Sequence, residues 1–236
     1  MDEISIDTFN RLMELYVAAY LGDVPKLQQL LEEPELKEKI NHTMNSERNH
    51  SALFYACYGA SNAEAVKVLL AHGANPFQRD SIGHLPLHLA ANSWDPEIIK
   101  VLLEVENMID YKLDAATITG QTPLHALFLP GSGIDAETKA KNANPKLCLS
   151  LILTADRTQS HAALLKMDKQ GVNSLMLVKC FNRATWFAPE APKAFPIYVS
   201  KAPAIANIKS VLEPGFYDST PFLEAARNSA KARLQM

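Results

Sequence analysis

One pattern recurs along this chain and excludes most architectures. The stretch "GHLPLHLAANSWDPEIIKVLLE", residues 83 to 104, anchored at Leu85, runs Pro86-Leu87-His88, then Ala90-Ala91, then seven residues, a β-branched residue, two more, and a leucine pair. "MELYVAAYLGDVPKLQQLL" fits the same frame from Met13, and "SALFYACYGASNAEAVKVLLAHGAN" fits it from Ser51. It restarts at Thr122 ("TPLHALFL"), Asn173 ("NSLMLVK") and Thr220 ("TPFLEAAR"). The six starts are separated by 38, 34, 37, 51 and 47 residues, so a unit of about 33 residues with insertions explains the series. A unit that short cannot bury its own apolar faces, so neighbours must stack into a solenoid.

Each unit reads as two helices. Thr122 and Thr220 can N-cap a first helix by accepting a backbone N–H bond, with Pro123 and Pro221 at the first helical position, where the missing N–H costs nothing. Leu87, Ala90 and Ala91 follow at helical spacing, and the alanines let two helices approach closely. Ile98, Ile99, Leu102 and Leu103 supply the apolar face of the second helix. Gly73, Gly83, Gly120 and Gly171 fall where a turn or helix stop needs positive φ.

"DSIGHLPLHLAA" from Asp80, "GQTPLHAL" from Gly120 and "LLAHGANP" from Leu69 resemble the ankyrin repeat family, whose signature is D-x-x-G-x-T-P-L-H-x-A-A followed by G, V and L-L. The resemblance implies an all-α ankyrin solenoid of hairpin tips and antiparallel helix pairs, a single domain over 1–236. Units would start near 8, 46, 80, 117, 168 and 215, with insertions at about 129–143 and 182–204. It further implies that His88 and His125 link adjacent hairpin turns by hydrogen bonds. At the same position Tyr16, Phe54, Met176 and Leu223 stand instead, where packing is expected to replace the bond.

Catalysis is not expected. Cys57 takes a small alanine position between helices, Cys148 lies inside the apolar helix "KLCLSLIL", and Cys180 has no histidine in its own repeat to act as a base. The histidines show no metal-ligand spacing, the three cysteines no C-x-x-C, and "GSG" at 131–133 lacks the lysine of a phosphate loop. No cofactor is expected. The cysteine pattern suits a reducing compartment, here the cytoplasm, or the host cytosol if the chain is a secreted bacterial effector. No apolar run approaches the roughly 20 residues of a membrane span, and no membrane role is expected.

What the resemblance implies about function is non-catalytic recognition of another protein through the concave face of the central repeats, by a monomer. Carried over by frame, the partner-binding residues are Tyr58, Ile82, His84, Asn92, Ser93, Trp94, Gln121 and Phe181, on hairpin tips and at the exposed ends of first helices. Trp94 stands where a glycine usually separates the two helices. Its bulk there reads either as a binding anchor or as a cap on the adjacent turn or the long insertion. The alternative is a targeting or regulatory segment of a longer enzyme or of a secreted bacterial effector. The basic C-terminal third, including Arg183, Lys193 and Arg227, raises nucleic acid as a partner, but the positive excess is modest and no reader motif accompanies it.

Overall fold

Helix punctuation is written into the first forty residues. In the computed structural model, which describes residues 5–43, 48–58, 63–105, 113, 115–129, 143–155 and 162–180, the Ser5 hydroxyl accepts the Thr8 amide at 3.1 Å and starts α1 (Ile6–Leu21). Gly22 ends it in the left-handed region, φ 66°, while the Asp23 amide reaches back to the Ala18 carbonyl at 2.9 Å. Asp23 then caps α2 (Val24–Leu31) by accepting the Lys26 amide at 3.1 Å. One residue closes a helix and the next opens its antiparallel partner.

The same device repeats. After the short α3 (Pro34–Glu38) come the pairs α4 (Ala52–Tyr58) with α5 (Ala63–Ala71), and α6 (Pro86–Ser93) with α7 (Pro96–Leu103). Then follow α8 (Pro123–Phe128) with α9 (Pro145–Ala155), the one-turn α10 (Ala162–Leu165) and α11 (Ser174–Cys180). Asp95 opens α7 by accepting the Glu97 and Ile98 amides, and Thr122 opens α8 with Pro123 at its first position.

The pairs stack in two layers. The inner row is α1, α4, α6, α8 and α11, and the outer row is α2, α5, α7 and α9, each helix packing on the next of its row. Ala18, Ala19, Ala56, Cys57, Ala90 and Ala91 are buried between them, small enough to let the axes approach. Leu15, Leu27, Leu53, Phe54, Leu69, Leu87, Ile99, Leu102 and Phe128 fill the space between repeats. Among the described residues the result is an all-α ankyrin-type solenoid, as the sequence leads one to expect. The sixth start at Thr220, the 182–204 insertion, residues 130–142 of the other insertion, and Phe181 lie outside the described residues.

One expectation is refined. Tyr16 was expected to replace the signature histidine by packing alone, yet its hydroxyl donates to the His42 carbonyl at 3.1 Å and lies 2.9 Å from His42 Nδ1. The phenol thus makes a hydrogen bond within its own unit, where the imidazoles elsewhere reach the next tip. Phe54 does follow the packing rule, stacking on His50 with ring centroids 4.9 Å apart. Cys57 and Cys148 are buried, and burial pushes both thiols up, away from the thiolate a nucleophile needs.

Candidate interaction edge

Three hairpin tips are built on one plan. Asp80 donates its amide to the His84 carbonyl at 3.0 Å, Thr117 to Gln121 at 2.9 Å, and Asp168 to Val172 at 2.8 Å. In each, the glycine three residues on returns an amide bond to the first residue: Gly83 to Asp80, Gly120 to Thr117, Gly171 to Asp168. The first side chain organises the turn as well. Asp80 Oδ1 accepts the Ile82 and His84 amides, Asp168 Oδ1 accepts those of Gln170 and Val172, and Thr117 Oγ1 accepts that of Gln121. An oxygen on a short side chain is what the position requires.

The tips are then joined into a row. Ser81 donates to the Arg48 carbonyl at 3.0 Å, Ile118 to the Ile82 carbonyl at 2.9 Å, and Lys169 to the Thr119 carbonyl at 2.8 Å. Beneath this ladder the signature histidines add a second tie. His88 Nδ1 accepts the Leu85 amide at 3.1 Å, which fixes the proton on Nε2, where it is donated to the Gln121 carbonyl of the next tip at 3.2 Å. His125 repeats the arrangement: Nδ1 faces the Thr122 amide and hydroxyl at 3.1 and 2.8 Å, and Nε2 donates to Val172 at 3.0 Å.

Burial lowers the pKa of both imidazoles, His88 the further, with His84 adding to the effect there. Because the fold binds only the neutral form, the unfolded chain takes up protons the native state refuses once the pH drops below about 6.5. Stability is fully present above that pH and falls as the pH moves below it toward the depressed native values. The urea midpoint is expected to stay level from pH 8 to 7. Below pH 6.5 it should drop, by at most about 1.4 kcal/mol per pH unit for each such histidine. A midpoint that stays level down to pH 5 would contradict the neutral assignment.

His50 and His84 share one carboxylate. His84 Nδ1 lies 2.9 Å and His50 Nε2 3.3 Å from Asp80 Oδ2. Burial acts to raise the Asp80 pKa, but hydrogen bonds from His50 and His84 and their nearby charge outweigh it and hold the carboxyl below its ordinary range. No group of His, Cys, Asp and Glu suited to holding a metal ion occurs among the described residues.

The eight residues expected to face a partner divide here. Tyr58, at the end of α4, and Ile82, on the second tip, are half-buried and reach the surface. His84 and Gln121 are only 2% and 3% exposed: His84 turns onto Asp80, and the Gln121 backbone carbonyl is taken by Thr117 and His88. Asn92 and Ser93 are also buried, Asn92 donating to the Ala126 carbonyl at 3.0 Å and Ser93 to Ala90 at 2.9 Å. Polar character drew them to the surface in the sequence reading, whereas Asn92 bonds to the backbone of the next repeat and Ser93 to that of its own helix. Phe181 lies outside the described residues.

Trp94 is half-buried and makes capping bonds. It sits at φ 62°, the left-handed conformation that Gly22 supplies in the first repeat, at a cost of about 1–2 kcal/mol for a residue with a Cβ. Two bonds offset that strain. The indole Nε1–H donates to the Leu127 carbonyl at 2.9 Å, and the Trp94 carbonyl accepts the Asn144 amide at 2.8 Å, just where Asn144 starts α9 by accepting the Leu147 amide. Sequence reading missed Arg79, whose guanidinium donates to the Gly83 and Ala116 carbonyls and spans two tips. Its place immediately before Asp80 was the available signal.

Comparison with known proteins agrees with this geometry. The family pattern described as "Ankyrin repeats (3 copies)" matches residues 15–115 and again 62–132, together reaching across half of the 236 residues. A human relative, "Transient receptor potential cation channel subfamily A member 1", is 28% identical over 99 residues, 42% of this chain. The chain spans only 8% of that relative's length. Among the described residues no helix is long and apolar enough to cross a membrane. Repeats of this type generally serve protein–protein interaction and are typically non-catalytic. With the family pattern covering half its length, the chain belongs to the ankyrin repeat family.

Proposed function

We propose that the chain recognises a partner protein in the cytoplasm through the row of hairpin tips and the neighbouring ends of its inner helices in the central repeats. The observation that supports this most is the ladder itself. Successive tips are fixed to one another by backbone hydrogen bonds, so their side chains are already held in place before a partner arrives and little ordering entropy opposes binding. Ile118 is 57% exposed on this row, an isoleucine with no role in the core; Ile82 is joined to it, and Tyr58 ends the inner helix α4 with part of its side chain at the surface. His84, Asn92, Ser93 and Gln121 act in this reading as the buried supports of the edge, and Trp94 as the clamp at its inner end.

Affinity capture from a eukaryotic lysate tests the proposal, comparing the intact chain with a Tyr58→Ala, Ile118→Ala double variant shown folded by circular dichroism. If these side chains are anchors, their loss weakens binding by about 2 kcal/mol or more, roughly thirtyfold, and the captured partner disappears from the variant. Equal retention by both forms would place recognition elsewhere on the chain.

A further inference from the structure

Among the described residues, exposed charge on the tip edge carries one sign. Within the described tips, residues 48–50, 79–84, 116–121 and 168–172, the charged residues are Arg48, Arg79, Asp80, Asp168 and Lys169. Both aspartates are buried, their oxygens accepting the amides of their own turns. All three bases reach solvent: Arg79 and Lys169 are exposed and Arg48 is half-buried. Among the described residues no carboxylate lies within ion-pair distance of any of the three. The acids sit elsewhere, with Glu32, Glu64, Glu97 and Glu104 exposed in or just beyond the outer helices. Among the described residues, a protein of net charge -3 therefore presents basic side chains along its tip edge.

The apolar residues fall between those bases. The row runs Arg48, Ile82, Ile118, Lys169, because the tips are joined in that order, Arg48 to Ser81, Ile82 to Ile118, Thr119 to Lys169. We propose that this edge takes an extended segment of a partner protein in which apolar side chains lie between carboxylates. The isoleucines receive the apolar residues, and Arg48 and Lys169 meet the carboxylates at either end. Arg79, held across two tips by the Gly83 and Ala116 carbonyls, adds charge to the middle. A linear row of fixed tips suits an extended segment better than a compact point contact. Nucleic acid shares the negative charge, but the exposed hydrophobic groups on these tips are isoleucines, which offer no stacking platform for bases. Three bases would also neutralise few phosphates.

This assignment rests on the recognition reading above and can fail separately from it. Random peptides of about twelve residues, long enough to span roughly 40 Å when extended, are selected on the full chain. Sequences enriched in Asp and Glu around Leu, Ile or Phe are expected. Their affinity should fall about tenfold or more in an Arg48→Glu, Lys169→Glu variant, survive in Arg48→Lys, Lys169→Arg, and weaken as salt screens the exposed charges. Selected peptides without acidic enrichment, affinity unchanged by the charge reversal, or no selected peptide at all would each overturn the assignment. So would a single-stranded oligonucleotide that displaces the peptides at the same edge. A partner captured from lysate that is lost with Tyr58→Ala, Ile118→Ala but kept by the charge-reversed chain would overturn it too, while leaving the recognition reading intact.

Discussion

Replacing His88 by alanine is expected to lower the unfolding free energy by about 3 to 5 kcal/mol, enough to unfold a marginal array. Two losses combine. The imidazole is fully buried, so its removal opens a cavity that rigid neighbouring helices cannot close. It also leaves the Leu85 amide and the Gln121 carbonyl each without the imidazole they now meet, in a place where water does not reach. His72, half-buried with its Nδ1 beside the Val68 carbonyl, is the control, and its replacement by alanine should cost under about 1 kcal/mol. Urea unfolding followed by circular dichroism measures both. Equal midpoints for the two variants would mean that the histidine tie adds nothing to inter-repeat stability.

Gly120→Ala is the second large effect. Gly120 and Gly73 have almost the same backbone, φ 89° and 92°, so the left-handed strain of an added Cβ, about 1–2 kcal/mol, is common to both. Their surroundings differ. A Cβ on Gly73 would meet nothing within 4 Å, whereas one on Gly120 would lie 2.9 Å from the Asp168 Cα and 3.0 Å from the Lys169 nitrogen. Those atoms belong to the backbone of the next tip and can only move by breaking the bond from Lys169 to Thr119. Gly120→Ala should therefore destabilise by about 3 kcal/mol or more, and Gly73→Ala by roughly half that. If the two variants unfold at the same urea concentration, the close approach of successive tips is not what demands glycine at 120.

The period of the apolar and small residues made the helix pairs and their stacking legible from the sequence. Leu87, Ala90, Ala91, Ile99 and Leu102 occupy fixed offsets that only one face of each helix can satisfy, and they are buried as the pattern requires. Positive-φ glycines were legible for a similar reason, since the turn leaves few residues able to sit there. The edge was harder to read. Asn92, Ser93 and Gln121 are polar, and polarity in a sequence does not distinguish a side chain facing water from one answering a carbonyl of the adjacent repeat. Asn92 bonding to Ala126, 34 positions away, depends on the neighbouring helix and not on its own repeat. Tyr16 hid its hydrogen bond behind an apolar ring, and Trp94 its two bonds behind bulk that looked misplaced.

Trp94 bears on how this array tolerates change. Its indole holds Leu127, two residues before the helical row is left at Leu129, and its carbonyl holds Asn144, where α9 begins. The end of α8 and the start of α9 are thus both held by one residue, through its side chain and its backbone carbonyl. Trp94 therefore fixes α9 against α8 through bonds that do not involve the residues joining them. Trp94 in effect supplies the array with a socket, a place where sequence can be exchanged wholesale while the helices on either side keep their register.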